Sequence, residues 1–276
     1  MKKSYEMDMC TGPLLKKLLI FAVPLILSGV LQLLFNAADI VVVGKFAGSH
    51  ALAAVGSGAL INLFTNVFIG FSIGTNVLVA QYFGAKDEQN IQDTVHTSMA
   101  IGIIGGMFLI VVGMIFAPMM LELMATPEEV LGQAALYIRI YFIGMPAMLI
   151  YNFGAAVLRA IGDTRRPLYY LLEAGVVNVI LNLIFVIGFQ MGVAGVAIAT
   201  VVSQCISAAL IVRCLMKSEG MYRLYLKRIR IHKEKMIRII QIGLPAGLQG
   251  AIFSISNVLI QSSINSFGAI AMAGNT

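Results

Sequence analysis

The residue that most invites chemistry is Asp39. It is the only carboxylate in the first long apolar run, and it follows Gln32 and Asn36 at i, i+4 and i+7, which is one face of a helix. At 1.5 Å per residue it lies about 22 Å beyond Pro24, in the outer half of a spanning helix. A carboxylate there has two readings. It takes up a proton or a cation, because neutralisation is what makes its burial tolerable, or it is a wet interfacial Asp near a helix end. Other apolar runs carry polar stripes as well: Asn62, Thr65, Asn66 and Asn76; Asn152; Asn178 and Asn182 at i, i+4; Thr200, Ser203, Gln204 and Ser207; and Gln249, Ser256, Asn257 and Gln261. A single stripe is satisfied by interhelical hydrogen bonds worth about 0.6 kcal/mol each. Stripes on five or more runs favour a shared water-filled cavity, with Gln32, Asn36, Asn62, Asn66, Asn152, Gln204, Gln249 and Asn257 as its expected lining.

Other chemistries find no footing, and the chain is not expected to be an enzyme. His50, His96 and His232 are isolated in loop or interfacial positions and read as solvated. Gly84-Ala85-Lys86 lacks the spacing of a phosphate loop, so any pumping must draw on a sodium or proton gradient, with no cofactor. Cys10, Cys205 and Cys214 show neither disulfide nor zinc spacing. Pro24 and Pro245 stand inside apolar runs, where a proline removes a backbone hydrogen bond and kinks the helix. Glu173 sits near the cytoplasmic end of its run, where snorkelling or a salt bridge to Arg165 or Arg166 is expected rather than transport chemistry.

The elements that must position these residues are membrane spans. Of 276 residues 59% are hydrophobic and 12% charged, with a mean hydropathy of +0.91; a soluble domain carries about 25% charged residues and has no core large enough for so much apolar surface. A spanning helix needs about 20 apolar residues. Seven runs qualify: 14–43, 51–83, 93–117, 131–158, 167–189, 193–216 and 237–266. They are far longer than the roughly ten-residue alternating segments of a barrel. The fold class is therefore an all-α polytopic membrane protein. The N-terminal run is longer than the apolar core of a signal peptide and no cleavage site follows, so it reads as a retained span.

The net charge of +6 is concentrated between Arg213 and Arg238, which hold nine basic and two acidic residues. That is a basic loop between spans rather than a nucleic-acid surface. With the N-terminus in the cytoplasm, 17 Lys and Arg fall inside, leaving Lys45 and Arg139 on or near the other side. This predicts a multi-pass protein of the cytoplasmic (inner) membrane, its N-terminus inside and the lipid bilayer its first partner.

An internal echo organises the chain. The first run reaches Gly29 five residues after Pro24, and the seventh reaches Gly250 five residues after Pro245. Their ends match too, Phe46-Ala47-Gly48 beside Phe267-Gly268-Ala269, at an offset of about 221 residues. Six spans fill that offset, and an even number gives a parallel repeat. The expected organisation is a six-helix lobe over 1–216, a basic cytoplasmic loop over 217–236, and the first helix of a second lobe over 237–276. A second lobe needs further chain, so the sequence reads as truncated.

Three segments then resemble one family. Ala155-Ala156-Val157-Leu158-Arg159-Ala160-Ile161-Gly162-Asp163-Thr164-Arg165-Arg166-Pro167 is similar to the loop between the fourth and fifth spans of the MATE (multidrug and toxic compound extrusion) transporters. Gln81-Tyr82-Phe83-Gly84-Ala85-Lys86, ending the second span, and Gly192-Val193-Ala194-Gly195-Val196-Ala197-Ile198-Ala199-Thr200, entering the sixth, resemble them also. Pro24 and the Asp39 segment match the family's first helix. The resemblance implies two six-helix bundles around a central cavity, alternating access, and export of organic cations in exchange for sodium or protons. It also implies a coupling site of Asp39, Asn178, Asn182 and Thr200, able to hold sodium. Asn182 stands where some members carry Asp, which leaves Asp39 the only carboxylate of the four; an Asn can offer its carbonyl oxygen to sodium but cannot carry a proton. The leading expectation is thus an antiporter of amphipathic organic cations. The alternatives are a lipid-linked or polysaccharide flippase of the same superfamily, which would want Arg and Lys in its cavity, and a non-transporting membrane scaffold.

Overall fold

A computed structural model describes residues 14–275; Lys2, Lys3 and Cys10 lie outside the described residues. All regular structure among these is helical, as expected where a backbone in hydrocarbon must satisfy its own hydrogen bonds. In chain order the helices are α1 (Leu14–Phe46), α2 (Ser49–Gly56), α3 (Ala59–Gly84), α4 (Glu88–Leu123), α5 (Glu128–Ile143), α6 (Met145–Ala160), α7 (Arg165–Asn182), α8 (Gly192–Lys217), α9 (Lys233–Asn265) and α10 (Ala269–Asn275). A π-helical stretch, Leu183–Gly188, extends α7. Six segments among the described residues are long and apolar enough to cross a bilayer, and α5 and α6 are so only when taken together, as a pair bent by 48°.

The six segments and this pair coincide with the seven expected runs but differ inside them. The second run is not one helix: α2 stops at Gly56, Ser57 and Gly58 break the chain's path, and α3 resumes at Ala59. The fourth bends at Gly144, where Gln204 fills the space a Cβ would take. The seventh begins at Lys233, four residues before its apolar run. Pro24 and Pro245 both lie inside continuous helices.

Helix ends follow local chemistry. The Asp87 carboxylate accepts from the Asn90 amide at 3.1 Å and caps α4, which holds its carboxyl below the usual range. Gly48, Gly162 and Gly268 turn the chain with φ of 88°, 85° and 96°, a region glycine enters without a Cβ penalty. The motif at 155–167 forms a corner between α6 and α7. Asp163, fully buried, accepts from the backbone N–H of Arg165 and Arg166 and pairs with the Arg166 guanidinium, while Tyr151 donates its hydroxyl to the Pro167 carbonyl.

Packing relies on small residues. Gly70 and Gly74 of α3 face Gly243 and Gly247 of α9 so closely that a Cβ on Gly70 would lie 2.4 Å from the Gly247 Cα. Such backbone contact is what lets spanning helices attract one another in the absence of a hydrophobic drive. Outward faces carry large apolar side chains such as Leu33, Ile115 and Phe253, suited to lipid.

One expectation about histidine fails. His96 is 3% exposed: its Nδ1 meets the Gln92 carbonyl at 2.6 Å and its Nε2 accepts the Tyr225 N–H at 3.1 Å. The loop before α9 is therefore packed against the first turns of α4 rather than free, a tertiary contact that local sequence does not announce.

Candidate functional site

The four residues assigned to coupling meet. Asp39 comes from the second half of α1, Asn178 and Asn182 from one face of α7, and Thr200 from α8. The Asn182 Nδ2 donates to an Asp39 carboxylate oxygen and, at 3.2 Å, to the Asn178 Oδ1. The Asn178 Nδ2 reaches the Thr200 hydroxyl at 3.4 Å, and that hydroxyl donates to the Val196 carbonyl at 2.9 Å. Spacing explains the chain of contacts. Residues four apart on α7 stack on one face, and α7 is brought onto α1 where Phe35 packs over Gly175. Asn178 and Asn182 are 5% and 1% exposed. The Asn182 Oδ1 has no hydrogen-bond partner, and an orphaned buried acceptor carries a penalty of about 1–3 kcal/mol.

Asp39 opens onto a cavity of about 320 Å³. Asn36 and Asn62 line it as expected, and so do Tyr137, Tyr141, Gln261 and Asn275. The α2–α3 break contributes Gly56, Gly58 and Ala59 to the same wall. Tyr137 and Tyr141 lie with ring centroids 6.0 Å apart, and Gln204 packs over Gly144 at the α5–α6 bend. Gln261 is held by Asn265 at 2.9 Å and by Asn275 at 3.2 Å. Carboxylate, carboxamide oxygens, a hydroxyl and two phenol rings form a surface suited to a cation, whether an inorganic ion at the oxygens or an organic one over the rings.

Other expected lining residues lie elsewhere. Asn66 binds the Gly250 carbonyl at 3.2 Å and the Ser254 hydroxyl at 2.7 Å, joining α3 to α9. Asn152 turns back to the Met148 carbonyl of its own helix at 2.9 Å. Gln32, Gln249 and Asn257 are on exposed faces, and Glu173 is exposed. The two tyrosines escaped the sequence reading because aromatic residues in an apolar run look like packing. Their i, i+4 spacing with a shared hydroxyl end was the one available signal.

Comparison with known proteins gives a consistent picture. A family model described as MatE matches residues 24–184. The probable multidrug resistance protein YoeA of Bacillus subtilis (strain 168) is 33% identical over 265 residues, covering 92% of this chain and 57% of its own length. The probable multidrug resistance protein YpnP of the same organism is 31% identical over 275 residues, covering 97% of this chain and 60% of its own. A MOP superfamily transporter from Pyrococcus furiosus, described as having a binding pocket of reverse polarity, is structurally similar with a TM-score of 0.81. It is 25% identical, and the match covers 90% of this chain and 55% of that one. The chain thus spans somewhat over half the length of the relatives it matches.

Proposed function

The chain belongs to the MATE family, and on that premise we propose that it serves in a secondary antiporter that exports amphipathic organic cations against entry of sodium or protons. Asp39 is the coupling residue in this reading, with Asn178, Asn182 and Thr200 supplying neutral oxygens. The observation that carries it is the polar chain from Asp39 through Asn182 and Asn178 to Thr200, which ties three helices together beside a cavity lined by two tyrosines. The unpartnered Asn182 Oδ1 supports a cation at this place, because turning the amide over would put that oxygen toward an ion beside Asp39.

The same premise orders the rest of the chain. We assign 1–216 to a six-span lobe, 217–236 to a cytoplasmic linker and 237–276 to the start of a repeated lobe. α9 supports this by echoing α1: both are long helices with an internal proline, and each is followed by a left-handed glycine and a short helix. The excess of Lys and Arg at the linker end supports a cytoplasmic placement of that end and of the N-terminus.

Of the alternatives, a flippase for phosphate-linked cargo wants basic groups in the cavity. Asp39 is the one charged residue lining this cavity, which favours cationic cargo. A scaffold has no need of the buried polar chain. The test is efflux of a fluorescent organic cation from cells carrying the full-length protein. Asp39→Asn should reduce export to background with the protein still present in the membrane. Export equal to wild type would remove the coupling role.

A further inference from the structure

A second cavity shares no lining residue with the one beside Asp39. It holds about 630 Å³ between the start of α4 and the linker, with Lys227, Arg228 and Arg230 on one wall and Glu88 and Asp93 on the other. The linker wall is fixed in place. Besides the bond from Tyr225 to His96, the His232 N–H donates to the Thr97 hydroxyl at 3.1 Å, and Gln92 donates to the Met221 carbonyl at 2.8 Å. The arginines are held individually as well: the Arg228 guanidinium lies 5.0 Å from the centre of the Tyr225 ring, and the Arg230 Nε donates to the His232 Nε2 at 2.9 Å. On the opposite wall Asp93 is already engaged by the Gln89 amide at 3.2 Å, while the His232 Nε2 that accepts from Arg230 lies 3.3 Å from it. Three cations within four residues therefore face an open cleft whose acids are Glu88 and Asp93.

Crowded like charges repel, and an anion between them relieves the repulsion. Guanidinium groups held in position by stacking give up little freedom on binding and match the geometry of phosphate oxygens. We propose that this cleft binds a phosphate group, as a mono- or diester. Two sources share that chemistry, the headgroup of an anionic phospholipid and a soluble phosphorylated compound. The exposed Leu226 and Ile231 beside the basic residues favour the lipid, since apolar side chains among Lys and Arg suit a membrane surface. The site stands apart from the coupling residues and does not depend on the transport reading.

The test uses the full chain in nanodiscs of phosphatidylcholine with and without phosphatidylglycerol, counting retained lipid by native mass spectrometry. A parallel arm titrates inorganic phosphate into the phosphatidylcholine discs and follows thermal stability. Wild type should retain phosphatidylglycerol preferentially, be stabilised by millimolar phosphate, or both; the arm that responds names the source. The double variant Arg228→Gln/Arg230→Gln should lose binding by roughly fivefold per charge removed. The pair Arg213→Gln/Lys217→Gln, at the same end but outside the cleft, should bind as wild type. The proposal is overturned if wild type responds in neither arm, if the cleft variant binds like wild type, or if the outside pair loses as much.

Discussion

At the scale of single residues, the division of labour around Asp39 follows from what each side chain can give. Asn182 donates to Asp39 through its Nδ2 and leaves its oxygen unpaired, so one rotation of its amide changes what Asp39 faces. An Asn cannot carry a proton. Asn182→Asp restores a titratable group, and in proteoliposomes it should raise export driven by a pH gradient severalfold relative to export driven by a sodium gradient; an unchanged ratio would show that the position does not select the ion. Asp39, Asn178, Asn182 and Thr200 each stood out in the sequence as polar groups in apolar runs, two of them i, i+4 on one face, and the family resemblance joined them into one set, which the fold brings into contact. Tyr137, Tyr141 and Asn275 did not stand out, since nothing in their own segments distinguishes a ring that lines a cavity from one that fills a core. His96 was misread for a related reason: a lone imidazole near the end of a span looks wet until the linker is folded over it.

At the scale of elements, hydropathy located the six long spans and the bent α5–α6 pair, because length and apolarity alone decide whether a helix suits a bilayer. It could not find the break at Ser57–Gly58 or the bend at Gly144, which depend on what packs nearby. The corners are where single changes act. Gly162 turns the α6–α7 corner with φ of 85°, and an L side chain there costs about 1–2 kcal/mol. Gly162→Ala should lower the thermal midpoint followed by circular dichroism, and a midpoint equal to wild type would mean the corner relaxes. The cap of α4 adds a pH dependence of known sign. The Asp87 carboxyl is held below the usual carboxylate range by its bonds to Asn90. Its stabilisation is therefore complete above the unfolded value of about 3.9 and is lost as pH falls through the lower native one. Asp87→Asn should flatten that acid limb and leave the pH dependence above about 5 unchanged, which thermal scans across pH would reveal.

At the scale of the whole molecule, the sequence echo between α1 and α9 was visible, but not that α9 would lie along α3. That seam is built from four glycines, and it is pinned at the basic end by Lys235, whose ammonium donates to the Tyr82 hydroxyl at 3.0 Å and lies 4.6 Å from its ring centre. A methyl on Gly70 would meet Gly247 backbone atoms at 2.4 Å, and one on Gly74 would meet the Ile239 carbonyl oxygen at 2.3 Å. Backbone cannot swing aside as a side chain can, so the two helices must separate. Overpacking of this kind costs about 1–3 kcal/mol. Gly70→Ala should therefore destabilise the protein in detergent, read by circular dichroism because the chain has no Trp. Gly29→Ala, with nothing within 4 Å of its Cβ, should not, since a helix interior prefers Ala to Gly. The double variant Gly70→Ala/Gly247→Ala carries the argument further. Once one methyl has parted the helices, the second enters space already opened, so the combined loss should fall short of the sum, as for any two changes at one contact. Strict additivity would mean that the seam is not a single contact and that α9 can leave α3 without disturbing the rest of the bundle.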